Sequence, residues 1–297
     1  MNKIIECVPN FSEGRRISVI NKIANSARKI KGVKVLDVEW DKSHNRSLMT
    51  IVGEPQKVAQ AAYEAIKTAT ELIDMNKHSG EHPRIGATDV VPFIPISKVT
   101  TDECVVLSNE LGKKVAKELN IPVYMYEASA KRADRVNLAD IRKGEYEGLR
   151  DEIEKNPERK PDYGSSKIHP TAGAIVIGAR KFLVAYNVNL DTKNIEIAKI
   201  IATKIREKGG GLPKVKALGF NVGGYAQISM NLVDFEITNF DEAYRVIEKE
   251  AKKHKVKIKS SEIYGMIPLA ALVRQVRMTF KAVDFTSNQI LEKRIYE

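Results

Sequence analysis

The chain holds 297 residues, 43% of them apolar and 29% charged, with 18 Gly and 11 Pro, which excludes a disordered, collagen-like or low-complexity polypeptide. At roughly 150 residues per domain the length fits about two domains, and a chain this long buries roughly three quarters of its unfolded surface. A formal net charge of +11 points to anionic partners, whether nucleic acid, an acidic membrane or a small polyanion.

Periodicity then gives the elements in chain order. Ile4–Val8 reads as a short strand ending at Pro9. Ser12 is placed to cap a helix to about Lys31, with Ile17, Ile20, Ala24 and Ala27 on one face. Strands Val33–Glu39 and Ser47–Val52 flank a polar turn, and Pro55 opens a helix to about Asp74. Asp89–Ile96 is a strand broken by Pro92 and Pro95, followed by a helix over 101–119 and a strand Val123–Glu127.

The second half repeats the order. Phe182–Asn189 is a strand, Asn194–Lys208 a helix, and Val215–Asn221 and Gln227–Phe235 are strands joined at Gly223-Gly224. Phe240–His254 is a helix, Val256–Ile263 a strand, and Pro268 opens a final helix. The expected fold is α+β: two ferredoxin-like βαββαβ subdomains, each an antiparallel sheet with helices on one face. Residues 1–178 form the first, including a linker over about 129–178, and 179–297 the second. A linker of that length is expected to be functional or mobile.

The longest apolar runs, such as Met266–Val273, fall far short of the roughly 18 residues that span a bilayer. Pro9, Asn10 and Glu13 interrupt any export signal at the start, so a cytoplasmic chain without membrane partners is expected. Cys7 and Cys104 form no CxxC and fit a reducing compartment. The order βαββαβ also occurs in RNA-binding domains, which stack bases on aromatics of their central strands. Here Ile4–Val8 and Ser47–Val52 carry no aromatic residue, so no nucleic-acid partner is expected.

No GxxxxGK[ST], strand-linked GxGxxG or GxSxG motif occurs. His78 and His82 have metal-ligand spacing, but Gly80 and Pro83 break a helix there, so no metal is expected. The loop Lys77–Asp89 packs two imidazoles, a carboxylate and a guanidinium between Gly and Pro. His82, held by Pro83 and next to Glu81 and Arg84, is the acid/base candidate. Residues 6–15, ECVPNFSEGR, are over-polar for a plain connection and make Asn10 a candidate substrate contact.

Three strings, ECVPNFSEGR at 6–15, HSGEHPRIGATDVVPFIP at 78–95 and PDYG with HPTAGA over 161–174, resemble the formiminotransferase family. The resemblance continues through GARKFLVAYNVNL at 178–190 and AQISMNLVDFEIT at 226–238. It implies two ferredoxin-like subdomains with a substrate cleft between them, in a homodimer. It implies transfer of the formimino group from N-formimino-L-glutamate to N5 of tetrahydrofolate as co-substrate, the folate carrying one glutamate or a polyglutamate tail. The family's catalytic histidine falls on His82 and its acidic partner on Glu39, where an aspartate is the family residue. Its folate-binding stretch falls on Gly164, Ser165, Ser166, Lys167, Ile168, His169, Pro170, Thr171, Ala172 and Gly173. A single imidazole near neutral pKa would serve as base and then acid, and Arg46 or Arg84 would hold the carboxylates of the donor. Two alternatives stay open: a folate enzyme using a formyl donor, and a folate-binding protein without turnover.

Overall fold

The computed structural model describes residues 3–296. Two compact units divide the chain, the first ending at Arg180 and the second beginning at Lys181.

The first unit runs β1 (Ile4–Cys7), β2 (Asn10–Phe11), α1 (Ile17–Arg28), β3 (Val33–Asp41), β4 (Arg46–Gly53), α2 (Pro55–Leu72), β5 (Thr88–Ser97), α3 (Thr101–Leu119) and β6 (Val123–Glu127). Two short helices, α4 (Leu138–Ile141) and α5 (Glu145–Glu152), and strand β7 (Ile175–Ala179) complete it. Strands β3–β4–β1–β5 lie side by side and antiparallel, the order of a ferredoxin-like βαββαβ sheet. One face of this sheet carries the core: Ile5, Cys7, Met49, Ile51 and Phe93 pack with Ile23, Ile66 and Leu111 of the three long helices. Period-two alternation sends Glu6, Thr50 and Ile94 to the other face.

Helix α2 starts at Pro55, whose missing N–H falls where none is needed, and buries Val58, Ala62, Ile66 and Ala69 at helical spacing. Thr100 and Glu103 form a capping box at the start of α3. The start of α1 corrects the expectation for Ser12. The Glu13 carboxylate accepts from the backbone N–H groups of Arg15 and Arg16 at 2.9 and 2.8 Å, and the helix begins at Ile17. Ser12 instead lies buried and donates to the Gly86 carbonyl at 2.7 Å.

The expected linker holds the largest departure. Its last residues, Ile175–Ala179, form β7, which inserts between β5 and β6, parallel to both. The physical reason is the apolar run itself: all five residues are buried, as a strand covered on both faces requires. Strand β5 is also continuous through Pro92 and Pro95. Pro92 still supplies its carbonyl to the Val8 N–H at 3.4 Å.

The second unit runs β8 (Val184–Leu190), α6 (Ile195–Ile205), β9 (Val215–Val222), β10 (Tyr225–Leu232), α7 (Phe240–Lys253), β11 (Ile258–Tyr264), α8 (Leu269–Phe280) and α9 (Leu291–Tyr296). Its four strands are ordered β11–β8–β10–β9, all antiparallel, which is the same ferredoxin-like arrangement. Gly223 and Gly224 at φ of 57° and 82° join β9 to β10, as a two-residue hairpin turn with positive φ demands. Among the described residues no helix is long and apolar enough to cross a membrane.

If β7 is a core strand, Ile177→Ala destabilises the chain by about 2–5 kcal/mol, the range for truncating a fully buried aliphatic. Ile177 is 0% exposed. A urea-midpoint measurement checks this, and a near-neutral result would return 175–179 to the status of a linker.

Candidate active site

The loop between α2 and β5 carries His78, His82 and Arg84, and three remote segments hold it in place. Ser12 reaches Gly86 from the end of β2. From the segment before β7, the Thr171 carbonyl accepts from Met75 N–H at 2.8 Å and the Ala172 carbonyl from Ala87 N–H at 2.8 Å. The Ala174 N–H donates to the Ile85 carbonyl at 3.0 Å. Gly86 is required by this lacing, because a Cβ there would meet the Ala174 carbonyl oxygen at 1.9 Å. From the β3–β4 turn, Asn45 accepts from Gly14 N–H at 2.9 Å, donates to the Ser79 carbonyl at 3.0 Å, and offers its own carbonyl to His78 Nε2 at 3.0 Å.

His82 stands in a cationic setting. Arg46 Nη1 donates to its Nε2 at 2.5 Å, and Arg46 Nη2 donates to Asn10 Oδ1. A guanidinium has no lone pair to give, so Nε2 is the acceptor and the ring is neutral. Burial, then Arg46 and Arg142, push the His82 pKa from 6.5 down to about 2, against a backbone hydrogen bond to Pro83 that raises it. His44 packs edge-on at 6.2 Å between ring centroids and is itself paired to Asp41 at 3.0 Å. The expectation of a near-neutral imidazole is therefore corrected for the free chain: His82 is a neutral base well into mild acid.

Two other basic residues are committed to carboxylates. Buried Arg84 pairs with Glu145 at 2.6 Å and Glu147 at 2.6 Å, and donates through Nε to His78 Nδ1 at 3.2 Å. Arg142 pairs with Asp89, whose other oxygen accepts from Ile85 N–H at 3.0 Å. These pairs clamp the linker helices α4 and α5 onto the His82 loop. Ser12, Asn45, Arg46, His78 and His82 line a small surface pocket of about 10 Å³, room for about one water molecule.

The remaining sequence candidates lie around this centre. Glu39 sits opposite Leu48 on β4, and Asn10 sits opposite Leu48 from the other side. Glu39 and Asn10 therefore share a sheet face two strands apart, about 10 Å at the usual strand spacing. The Glu39 pKa is raised by burial and by a hydrogen bond to Asp37, its neighbour along the same face, and its Oε2 is buried with no partner. No contact of Glu39 with His82 occurs among the described residues; the groups against the imidazole are Arg46 and His44 instead. In the stretch Gly164–Gly173, Gly164, Ser165, Lys167 and Pro170 are exposed, whereas Ala172 and Gly173 are buried. His169 and Gly173 exchange backbone hydrogen bonds at 3.2 and 3.3 Å, and His169 Nδ1 accepts from Ala172 N–H at 2.9 Å. This half of the stretch is the clamp on the His82 loop. Sequence reading missed Asn45, His44, Asp89 and Arg142; the SHNR turn was the one local signal, and nothing near Arg142 announces a site.

Arg46 should control the titration of His82. In Arg46→Gln the imidazole pKa rises above about 2 but stays below 6.5, because the positive charge beside Nε2 is removed while burial, the largest cause, remains. A group whose folded pKa lies below its unfolded value favours the fold above pH 6.5 and weakens it as pH falls. Each pH unit below 6.5 therefore costs the wild type up to about 1.4 kcal/mol, and the variant less. Nitrogen-15 NMR of the ring and urea titrations at pH 5 and 7 check both statements.

The amino-acid sequence was compared with known proteins. Residues 4–180 match the formiminotransferase domain, N-terminal subdomain, and residues 185–290 match the formiminotransferase domain. The chain is 46% identical over 298 residues to glutamate formimidoyltransferase of Streptococcus pyogenes serotype M1, covering 99% of each chain. It is 46% identical over 296 residues to glutamate formimidoyltransferase of Thermoplasma acidophilum, covering 98% of this chain and 97% of that one. It is 44% identical over 282 residues to formimidoyltransferase-cyclodeaminase of Rattus norvegicus, covering 92% of this chain and 52% of that protein. The chain belongs to the formiminotransferase family.

Proposed function

We propose that the chain transfers the formimidoyl group of N-formimino-L-glutamate to N5 of tetrahydrofolate, releasing L-glutamate. The likeness over nearly the whole chain to proteins named for that reaction supports this. The observation that carries it is the neutral imidazole of His82, its Nε2 lone pair held in a cluster of guanidinium groups.

The chemistry follows from that lone pair. N5 of the pterin attacks the amidinium carbon, and the π pair of the C=N bond moves onto nitrogen. The proton on N5 passes to His82 Nε2. The imidazolium then gives it to the departing nitrogen; the lone pair on the remaining nitrogen re-forms the C=N bond as the C–N bond breaks, and that bond's electrons leave with the glutamate amine. In the free chain Arg46 covers Nε2. A donor carboxylate drawn onto Arg46 would uncover the lone pair and offset the charge that depresses the imidazole pKa. Asn10 would hold Arg46 in position for that exchange. The Asp37–Glu39 pair, on the same sheet face, would balance the positive amidinium. Arg84, already bound to two carboxylates, would serve by fixing the loop. The exposed part of Gly164–Gly173, with Ser165 and Lys167, would meet the folate.

In a direct test, the protein is mixed with tetrahydrofolate and either N-formimino- or N-formyl-L-glutamate while product folate absorbance is followed. Turnover with the formimino donor is expected; turnover with the formyl donor alone would overturn the reading. His82→Ala should lower turnover roughly 10²–10⁴-fold, the usual range for a general acid–base residue, with folate affinity and melting temperature nearly kept. Near-normal turnover in that variant would remove His82 from the chemistry.

The charge distribution bears on the folate tail. Residues 151–297 carry 25 basic and 18 acidic side chains, so a polyglutamylated tetrahydrofolate should bind more tightly than the monoglutamate at low salt. The gap should close as the screening length falls below ~10 Å above 0.1 M salt. Equal dissociation constants at low salt would dismiss the electrostatic account.

A further inference from the structure

Glu6 has no part in the chemistry above, yet its position is hard to explain as packing. It lies in β1 between Ile5 and Cys7, both of which are 0% exposed in the helix-side core. Alternation therefore sends Glu6 to the opposite face of the sheet. There it is 6% exposed, paired across the strands with Val52 on β4 and Ile94 on β5. Its carboxyl has no hydrogen-bond partner among the described residues, and Arg180 is the only charge noted as favouring its ionised form. Burial pushes its pKa up to about 7. An acid at so enclosed a strand position is disfavoured relative to a valine or threonine of similar reach, although its carboxyl oxygens are not sealed off from the surface. A carboxylate in this position can accept from the paired donors of a ligand lying on the same face.

The same face leads to the candidate active site. Glu6, Val8 and Asn10 alternate along β1 and β2, and Asn10 accepts the hydrogen bond of the guanidinium that caps His82. Between Glu6 and Asn10 the registers place Val8, Leu48, Val52 and Thr50, an apolar strip with one hydroxyl. Four residues of strand separate Glu6 from Asn10, about 13 Å. A pterin ring is flat and about 6 Å long from N5 to its 2-amino group, and hydrogen bonds of about 3 Å at each end extend that to about 12 Å. Its far edge presents N3–H and the 2-amino group side by side, the donor pair that a carboxylate accepts with both oxygens.

Resting on the function proposed above, we infer that Glu6 is the residue that recognises the pterin ring, its carboxylate accepting from N3–H and the 2-amino group while N5 faces His82. Glu6 thereby selects the acceptor and sets the direction in which it lies on the sheet, leaving the donor to the Arg46 end.

The test compares binding of tetrahydrofolate and of its 2-deamino-2-methyl analogue to the intact chain, without donor present. The wild type should prefer tetrahydrofolate by about 10–100-fold, the range for hydrogen bonds to a charged group. Glu6→Gln should bind tetrahydrofolate about 10–100-fold more weakly and lose most of that preference, while its KM for N-formimino-L-glutamate at saturating folate stays within about twofold of wild type. The ligand arm needs no variant: equal affinity of the wild type for the two folates overturns the inference whether or not Glu6→Gln folds. So does a Glu6→Gln protein that keeps wild-type affinity and preference. A preference that depends on Glu6 in a protein without formimidoyl transfer would leave Glu6 in place and remove the proposed reaction. Transfer with equal affinities would do the reverse.

Discussion

Everything at the candidate active site depends on one close approach of backbone to backbone, where Gly86 meets the chain entering β7. The distance at which a Cβ would strike the Ala174 carbonyl, 1.9 Å, allows no side chain there. Buried N–H and C=O groups on both segments must find partners, and they find each other: Ala87 with Ala172, Ala174 with Ile85, Met75 with Thr171. Ser12 closes the set from a third direction. The result is a loop without regular structure that is nonetheless positioned by strands β2, β5 and β7. A histidine on such a loop keeps one orientation, which a proton-transfer group needs.

Burial first, and then charge, decide what that histidine is. A carboxylate beside an imidazole raises its pKa and makes it an acid; a guanidinium lowers it and makes it a base. His82 has Arg46 at hydrogen-bond distance and Arg142 nearby, while four acids around the loop are engaged with other partners. Glu145 and Glu147 are tied to Arg84, Asp89 to Arg142, and Asp41 to His44. The net effect is a neutral base within a positive field, suited to a ligand that brings negative charge with it. In the proposed reaction, binding such a ligand would raise the basicity of the imidazole, coupling substrate arrival to activation.

The ion pairs also explain how the linker serves the site. Residues 138–152 form two short helices with modest burial, and on their own such helices are marginal in water. Arg84 and Arg142 fasten them to the loop and to β5. Since Arg84 and Asp89 are buried on the loop side, removing either one's partner would leave a buried charge uncompensated. What looks in sequence like a charge-balanced tether is part of the wall that holds His82.

Much of the architecture was legible before folding. Apolar residues at period 3.6 announced α2 and α3, period two announced β4 and β10, and Gly223-Gly224 announced a hairpin, because these signals are local and each residue's preference agrees with its neighbours'. His82 stood out for the same reason, as a titratable group between Gly and Pro. Strand β7 was missed because an apolar run of five residues has no period of its own; only its place between β5 and β6 makes it a strand. The cap of α1 was misplaced because Ser12 is taken by Gly86, a partner 74 positions away. The protonation state of His82 was misjudged because burial, then Arg46 and Arg142, set it, and a pKa is a property of surroundings. Sequence alone determined most of the long helices and strands and singled out His82 as the candidate reactive group. Tertiary structure alone decided which distant charges face that group, because Coulomb interactions and burial follow distance in space rather than separation along the chain.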